Sequence, residues 1–457
     1  MKQFLPGDPI IKTVLGEKKV LPDKSYRWSD FVLPFSHNGD DYIFNTFTKG
    51  CYCISDDSLI VDPDVRYSSD DVLNSEVLTA LHDGMFLVPE NKDEATAYEN
   101  FFRIVRPLRA NMTKKGYKSF TILPTTACNA RCFYCFEQGI KYVTMTDEIV
   151  EQTIRFILDN HRDGESVRLN WFGGEPLIGE KIIDRITGAL RDAGVEFKSR
   201  FVSNGSLVTS EIIKKMKENW NVSSVQITLD GVEEEYNRRK NYYFNYDSAY
   251  WHVLSNIRML NENDILLNIR VNIDEQNMGG LEQMLSEIEQ FMPYPEKLTV
   301  DMVPLFETRE REDGIVVWDK VFEMCDYIKN NTVFMVSTHA AAKSLRLYHC
   351  MADAPYQSVT IAPDGKLYNC ENIDSFPSHG DIFNGVTDRK MLDSFIAVEK
   401  VAEKCRGCVC LPDCTPFTRC KTPKIHCKYF VRVYIERGLK ELLDREDEVQ
   451  EEPVQDC

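Results

Sequence analysis

Long apolar runs are missing from this chain. No stretch of about 18 apolar residues occurs, which excludes a membrane-spanning helix. The start, Met1-Lys2-Gln3-Phe4-Leu5-Pro6-Gly7, lacks the apolar core of a secretory signal, so the chain is expected in the cytoplasm. Positive charge is also in deficit. The 54 Lys and Arg against 72 Asp and Glu give a formal charge of −18, which argues against non-specific binding of nucleic acid. A basic peptide substrate is compatible with that charge, and ordinary acidic solubility accounts for it as simply. Part of the acid lies in residues 444–455, which read as a frayed or disordered tail.

Cysteine, by contrast, is plentiful at 15 residues. In a reduced compartment such clustering points to metal and not to disulfides. Three thiols fall in Cys128-Asn-Ala-Arg-Cys132-Phe-Tyr-Cys135. What this segment lacks is a fourth ligand. Tetrahedral zinc wants four N or S donors, commonly in C-x2-C pairs, and a bacterial ferredoxin run reads C-x2-C-x2-C-x3-C-P. Neither matches. Three thiols can hold one face of a [4Fe–4S] cube and leave its fourth iron open for chemistry, with zinc as the competing reading.

At 457 residues two or three domains are expected. Residues 1–112 are mixed α+β: Tyr42–Asn45 and Cys51–Ile54 read as strands around a turn at Thr48-Lys49-Gly50. Val72–Leu87 reads as one or two helices, and Ala95–Val105 as another. Across 113–335 strands alternate with helices. The strands are Ser119–Pro124, Val167–Phe172, Glu196–Ser203, Ser224–Leu229, Leu266–Ile273 and Lys297–Val303. The helices include Thr146–Asn160 with Thr146 as N-cap, Lys181–Ala193, Ser210–Trp220, Tyr250–Asn261 and Leu281–Phe291. Such units imply a parallel sheet with right-handed crossovers, either a flat doubly wound sheet or an open barrel. The three Cys follow the first strand, at the end where α/β sites collect.

Gly173-Gly174-Glu175-Pro176 follows the second strand. Its glycines would let backbone approach a ligand, though a tight turn needs them too. Ser203 and Asn204 end the third strand, where a plain capped turn is the alternative, and Asp230-Gly231 ends the fourth. The C-x3-C-x2-C triad with Phe133 and Tyr134 inside it, and the Gly-Gly-Glu-Pro at this distance, resemble the radical S-adenosylmethionine (radical SAM) superfamily. The resemblance implies a partial (β/α)6 TIM-like barrel. It implies SAM chelated by the open iron and split by one electron from a flavodoxin- or ferredoxin-type reductant into a 5′-deoxyadenosyl radical. It places Tyr134 by the adenine, and Gly173, Gly174, Glu175, Ser203 and Asn204 around the methionyl and ribose groups. Relatives often carry an Arg near the SAM carboxylate; here Tyr236-Asn237-Arg238-Arg239-Lys240 offers Lys240 as a point charge without the planar fork. Asn272 on the fifth strand is a weaker candidate, with inward strand polarity as the plainer reading.

Eight of the Cys fall between 350 and 427, which reads as a small metal-stapled module over 340–430. Strands Ser358–Ile361 and Lys366–Asn369 flank a turn at Pro363-Asp364-Gly365. Together with Cys405-x2-Cys408-x5-Cys414 this resembles the SPASM module, which holds two auxiliary [4Fe–4S] clusters, three in all with the first. That resemblance assigns Cys405, Cys408, Cys414 and Cys427 to an outer cluster and Cys350, Cys370 and Cys420 to an inner one. A pair of zinc sites is the rival. Cys410 is an extra thiol, so an assignment can shift. The inner set lacks a fourth ligand, which a remote thiol such as Cys325, water or a substrate thiolate could supply. Glu371, next to Cys370, could act as a base or only hydrogen-bond near the cluster.

The N-terminal region resembles small leader-peptide recognition domains, winged-helix-like, that bind an extended leader at a sheet edge; a structural cap on the barrel is the alternative. Residues 431–457 close the chain as a helix and acidic tail. These features converge on an enzyme that modifies a ribosomally made precursor peptide, by a Cys thioether to carbon crosslink. The rivals are a formylglycine-forming sulfatase maturase and, from another class, an electron carrier or zinc-held interaction protein.

Overall fold

The computed structural model describes residues 1–15, 19–54, 61–111, 115–244, 246–305, 314–336, 345, 351–414 and 427–451. Six parallel strands run in sequence order: Ser119–Ile122, Val167–Trp171, Phe197–Ser203, Val222–Thr228, Leu266–Ile273 and Leu298–Pro304. Pairing runs from strand to strand, for example Trp171 beside Phe201 and Asn272 beside Val303, with one register shift between the third and fourth strands at Ser199/Arg200. The first strand pairs on its other side with Ser358–Ile361, in parallel, and the antiparallel strands Lys366–Tyr368, Gly380–Asp381 and Gly385–Val386 continue the sheet. Met335–Val336 extends the opposite edge. The two edges end in different strands, so the barrel stays open.

Burial decides between the flat sheet and the open barrel. Strands covered by helices on both faces are apolar throughout. Here they alternate. Phe197, Ser199, Phe201 and Ser203 are buried, while Lys198 and Arg200 between them are exposed. Leu267, Ile269, Val271 and Ile273 are buried, and Asn268, Arg270 and Asn272 are half-buried. The buried set packs against Ile183, Ile186, Ile213, Met216, Ile257, Met284 and Ile288 of the crossover helices in one continuous core. Each such fully buried side chain contributes roughly 1.5–3 kcal/mol, so the helices lie on the convex side only and the concave side is left polar.

The helices start where the sequence puts them. Thr146 caps Asp147–Asn160 by accepting from the Ile149 amide, with Asp147 and Glu148 at the positive end. Helix Glu233–Lys240 was not anticipated; its buried residues are Tyr236, Arg239 and Lys240, a face no apolar period reveals.

In the N-terminal region the two expected strands pair, as Asp40–Asn45 beside Gly50–Ile54. Lys2–Pro6 and Val32–His37 complete a four-stranded antiparallel sheet. A second sheet orders Arg66–Ser68, Ser25–Trp28 and Leu87–Pro89, with helices Ser69–Asn74 and Glu76–Asp83 between its outer strands. This region is fastened to the Cys-rich part. Lys49 and Asp413 form a buried ion pair, the Thr46 hydroxyl donates to the Val409 carbonyl, and Glu99 accepts from the Val401 amide at 2.8 Å. Phe31, Phe47, Tyr98, Phe101 and Phe102 share a core with Val401 and Leu411, and half-buried Cys405 and Cys408 pack on it.

Candidate active site

The loop after the first strand carries Cys128, Cys132 and Cys135, all half-buried. Two backbone bonds tie it to the second-strand loop: the Gly174 amide donates to the Thr125 carbonyl at 3.2 Å, and the Glu175 amide to that of Ala127 at 2.9 Å. This contact explains the glycines. Gly173 holds φ +109°, and a Cβ there would stand 2.3 Å from the Thr125 carbonyl oxygen. A Cβ on Gly174 would stand 2.3 Å from that of Ala127. The expected close approach is therefore to the Cys loop.

Glu175 is fully buried and turns the two loops into one unit. One oxygen accepts from the Leu177 amide and the Ser203 hydroxyl, at 3.1 and 2.9 Å. The other accepts from the Asn204 amide at 2.8 Å. Burial pushes its carboxyl up to about 7 against these three donors, which favour the charged form. Asn204 then reaches the Cys loop, donating to Asn129 at 2.8 Å and lying 3.8 Å from the Cys128 sulfur. Asn129 in turn donates to Ser206 at 2.8 Å. Ser203 and Asn204, read from sequence as ligand contacts, thus also serve as the framework of the thiol loop.

On the opposite side, Lys240 is buried and donates to the Tyr134 hydroxyl at 3.0 Å. Tyr134 donates to Asp230, whose carboxylate lies 3.4 Å from the Lys240 ammonium. Asp230 is fully buried and also accepts from the Asn272 amide and side chain, at 2.9 and 3.2 Å. Burial opposes charge on Lys240, but Tyr134 and Asp230 outweigh it and hold the ammonium above the ordinary lysine range. Tyr134, Lys240 and Asn272 therefore meet at Asp230, the strand-end residue that the sequence reading left out of the candidate site. Arg239 is the second residue missed. Its guanidinium is buried, lies over Phe133 at 5.2 Å, pairs with Glu235 and Asp274, and leaves Nη1 without a hydrogen bond among the described residues.

The donor set on the loop is three thiols, and these suit iron–sulfur chemistry. Among the described residues no three His, Cys, Asp or Glu side chains are grouped closely enough to hold a single metal ion. Burial pushes the Cys128 thiol up to about 12 and raises Cys135 as well, so a thiolate form there needs a compensating positive charge.

In the C-terminal part Cys350 and Cys420 lie outside the described residues. Buried Cys410 lies within electrostatic reach of Cys408, Cys414 and Cys427, and burial raises it to about 12. The extra thiol is therefore near three of the thiols that the sequence resemblance assigns to the outer set. Cys325 is buried in the barrel core, where Arg437, Asp326 and Lys329 lie within electrostatic reach. Glu371 lies beside Cys370, whose sulfur is 3.7 Å from its carboxylate.

Residues 122–288 match the profile of the Radical SAM superfamily. Among curated proteins, the chain is 25% identical over 185 residues to an S-adenosylmethionine-dependent nucleotide dehydratase of Psychrobacter lutiphocae, covering 37% of this chain and 59% of that one. It is 19% identical over 323 residues to the radical SAM cyclopropyl synthase TigE of Paramaledivibacter caminithermalis, covering 65% and 66%. The chain thus spans about six to seven tenths of these relatives. Among solved structures the fold is similar to native anSMEcpe with bound AdoMet and Cp18Cys peptide, at TM-score 0.51 and 16% identity over 72% of this chain and 99% of that one. It is also similar to Streptococcus suis SuiB bound to precursor peptide SuiA, at TM-score 0.50 and 13% identity over 89% and 100%.

Proposed function

We propose, from the match of residues 122–288 to the Radical SAM superfamily, that this chain is a radical SAM maturase of a ribosomally made peptide. The observation that carries the reading is the concave face of the barrel. It is polar, with Lys198 and Arg200 exposed and Asn268, Arg270 and Asn272 half-buried, and its strands lead to the loops that carry Cys128, Cys132 and Cys135. Arg200, Gln226, Arg270 and Asn272 line it, and Asn268 Oδ1 there has no hydrogen bond among the described residues. Such a face offers an extended peptide backbone and side chains the donors and acceptors they need. TigE acts as a cyclopropyl synthase by its name, and SuiB and anSMEcpe were solved with peptides.

Cys128, Cys132 and Cys135 would hold a [4Fe–4S] cluster, and SAM would lie between Tyr134, Gly173–Glu175, Ser203, Asn204 and Asn272. Bound together, these groups supply a 5′-deoxyadenosyl radical that abstracts hydrogen from substrate. The chain's own residues fix where that happens. Glu175 and Asn204 hold the thiol loop against the third strand, and Lys240 and Asp230 hold Tyr134. Cys405, Cys408, Cys414 and Cys427, with Cys410 in the same set, would carry the outer auxiliary cluster; Cys350, Cys370 and Cys420 would carry the inner one. An inner cluster short of a protein ligand suits capture of a peptide thiolate, hence a thioether crosslink to carbon. The N-terminal sheets, fastened to the Cys-rich module, would receive the leader.

A second reading, formylglycine formation, draws on Glu371 beside Cys370 as a base. Co-expression with a short Cys-rich peptide encoded beside the gene decides between them. A loss of two hydrogens per crosslink supports the first reading. Formylglycine supports the second, and an unchanged peptide removes both.

A further inference from the structure

The concave face carries a charge opposite to that of the chain. Arg168 on the second strand and Lys198 and Arg200 on the third all alternate with core residues, so all three project from the concave side. Arg168 stands beside Lys198 in register, and Arg200 beside Asn170. Adjacent strands are about 4.8 Å apart and alternate residues about 6.6 Å, so three cations occupy a patch of one or two residue spacings. All three are exposed. None forms an ion pair within 4 Å among the described residues, unlike Arg270 on the same face, which meets Asp301 at 3.6 Å. Arg200 finds only the neutral Gln226, at 3.2 Å. Like charges this close repel, and a chain with 72 acidic residues has placed none against them among the described residues.

We infer that the barrel binds an acidic peptide segment, its Asp or Glu carboxylates on Arg168, Lys198 and Arg200. The inference rests on the peptide-maturase reading and names the substrate's charge. The sign is opposite to the net charge of −18, because the field inside the barrel is local and the total is not. Arg200 and Lys198 precede Ser203 at the rim by three and five residues, about 10 and 17 Å at strand rise. Carboxylates bound there would lie three to five extended residues from the one modified.

The test uses fluorescein-labelled decapeptides of alternating Glu-Gly and Lys-Gly, read by anisotropy with the anaerobically reconstituted full chain. The Glu peptide should bind, weaken at least tenfold between 50 and 300 mM NaCl, and weaken at least tenfold in the R168Q/K198Q/R200Q variant at low salt. The Lys peptide should not bind. Equal binding of both peptides, or Glu-peptide affinity unchanged by the triple substitution, overturns the inference. The salt series on the unaltered protein stands even if the variant misfolds: affinity flat with salt also overturns it. 5′-Deoxyadenosine is measured on the same preparation. Glu-peptide binding without SAM cleavage sinks the radical reading and leaves the charge assignment intact; cleavage with no preference for the Glu peptide does the reverse.

Discussion

Lys240 donates its ammonium to the Tyr134 hydroxyl at 3.0 Å, across a separation of 106 residues. The contact joins the helix after the fourth strand to the thiol loop, with Asp230 buried between them. Removing one member of a buried pair leaves the other charge without compensation and costs on the order of 3 kcal/mol. Lys240→Met should therefore lower anaerobic urea stability by about that amount. Asp230→Asn in the same chain should restore most of it. Strictly additive losses would contradict a coupled pair.

Gly174 lies under the carbonyl of Ala127, where an added Cβ would stand at 2.3 Å. Gly174→Ala should push the thiol loop off its register and lower the iron bound after reconstitution by one cluster's content, with the rest retained. Gly188→Ala, where a Cβ meets nothing within 4 Å, is the control and should leave iron unchanged. Iron and sulfide analysis reads both.

Glu175 gives a pH signature. Its carboxyl sits at about 7 in the folded chain against an ordinary value of 4.5. A raised acid means the folded state binds more protons than the unfolded state between these values, so stability falls as pH rises through the window. The contribution lost between pH 5 and 8 is on the order of 2 kcal/mol. Glu175→Gln cannot titrate and must lose a hydrogen bond to one of its donors. It should be the less stable protein at pH 5 and close the gap by pH 8. Parallel denaturation curves at both pH values would contradict this.

Lys49 and Asp413 join the N-terminal sheet to the residue before Cys414, both side chains inaccessible to solvent. Lys49→Met should loosen the outer thiol set and speed iron release to a chelator severalfold, while leaving the Cys128–Cys135 cluster in place. Electron paramagnetic resonance with and without SAM separates the two, since SAM perturbs only the cluster that binds it.

Much of this architecture was legible in the chain. All six barrel strands and five of their helices follow from apolar period, and Thr146 marks a helix start correctly. The choice between flat sheet and barrel was also written there. Leu267-Asn268-Ile269-Arg270-Val271-Asn272-Ile273 alternates strictly, and a strand covered on both faces does not. Other features were not legible, for physical reasons. Helix Glu233–Lys240 buries cations, so its period is invisible to hydrophobicity. The steric need for Gly173 and Gly174 arises from a loop 48 residues earlier, at Thr125 and Ala127. The role of Asp230 depends on four partners from distant segments, Tyr134, Lys240, Asn272 and Asn277.

The central claim is that three thiols on one loop leave an iron open to SAM. Anaerobically reconstituted protein given dithionite and SAM, assayed for 5′-deoxyadenosine, tests it most directly. The account predicts steady production by the intact chain and none by the Cys128→Ala/Cys132→Ala/Cys135→Ala variant. No 5′-deoxyadenosine from the intact chain, or equal amounts from both proteins, would contradict it.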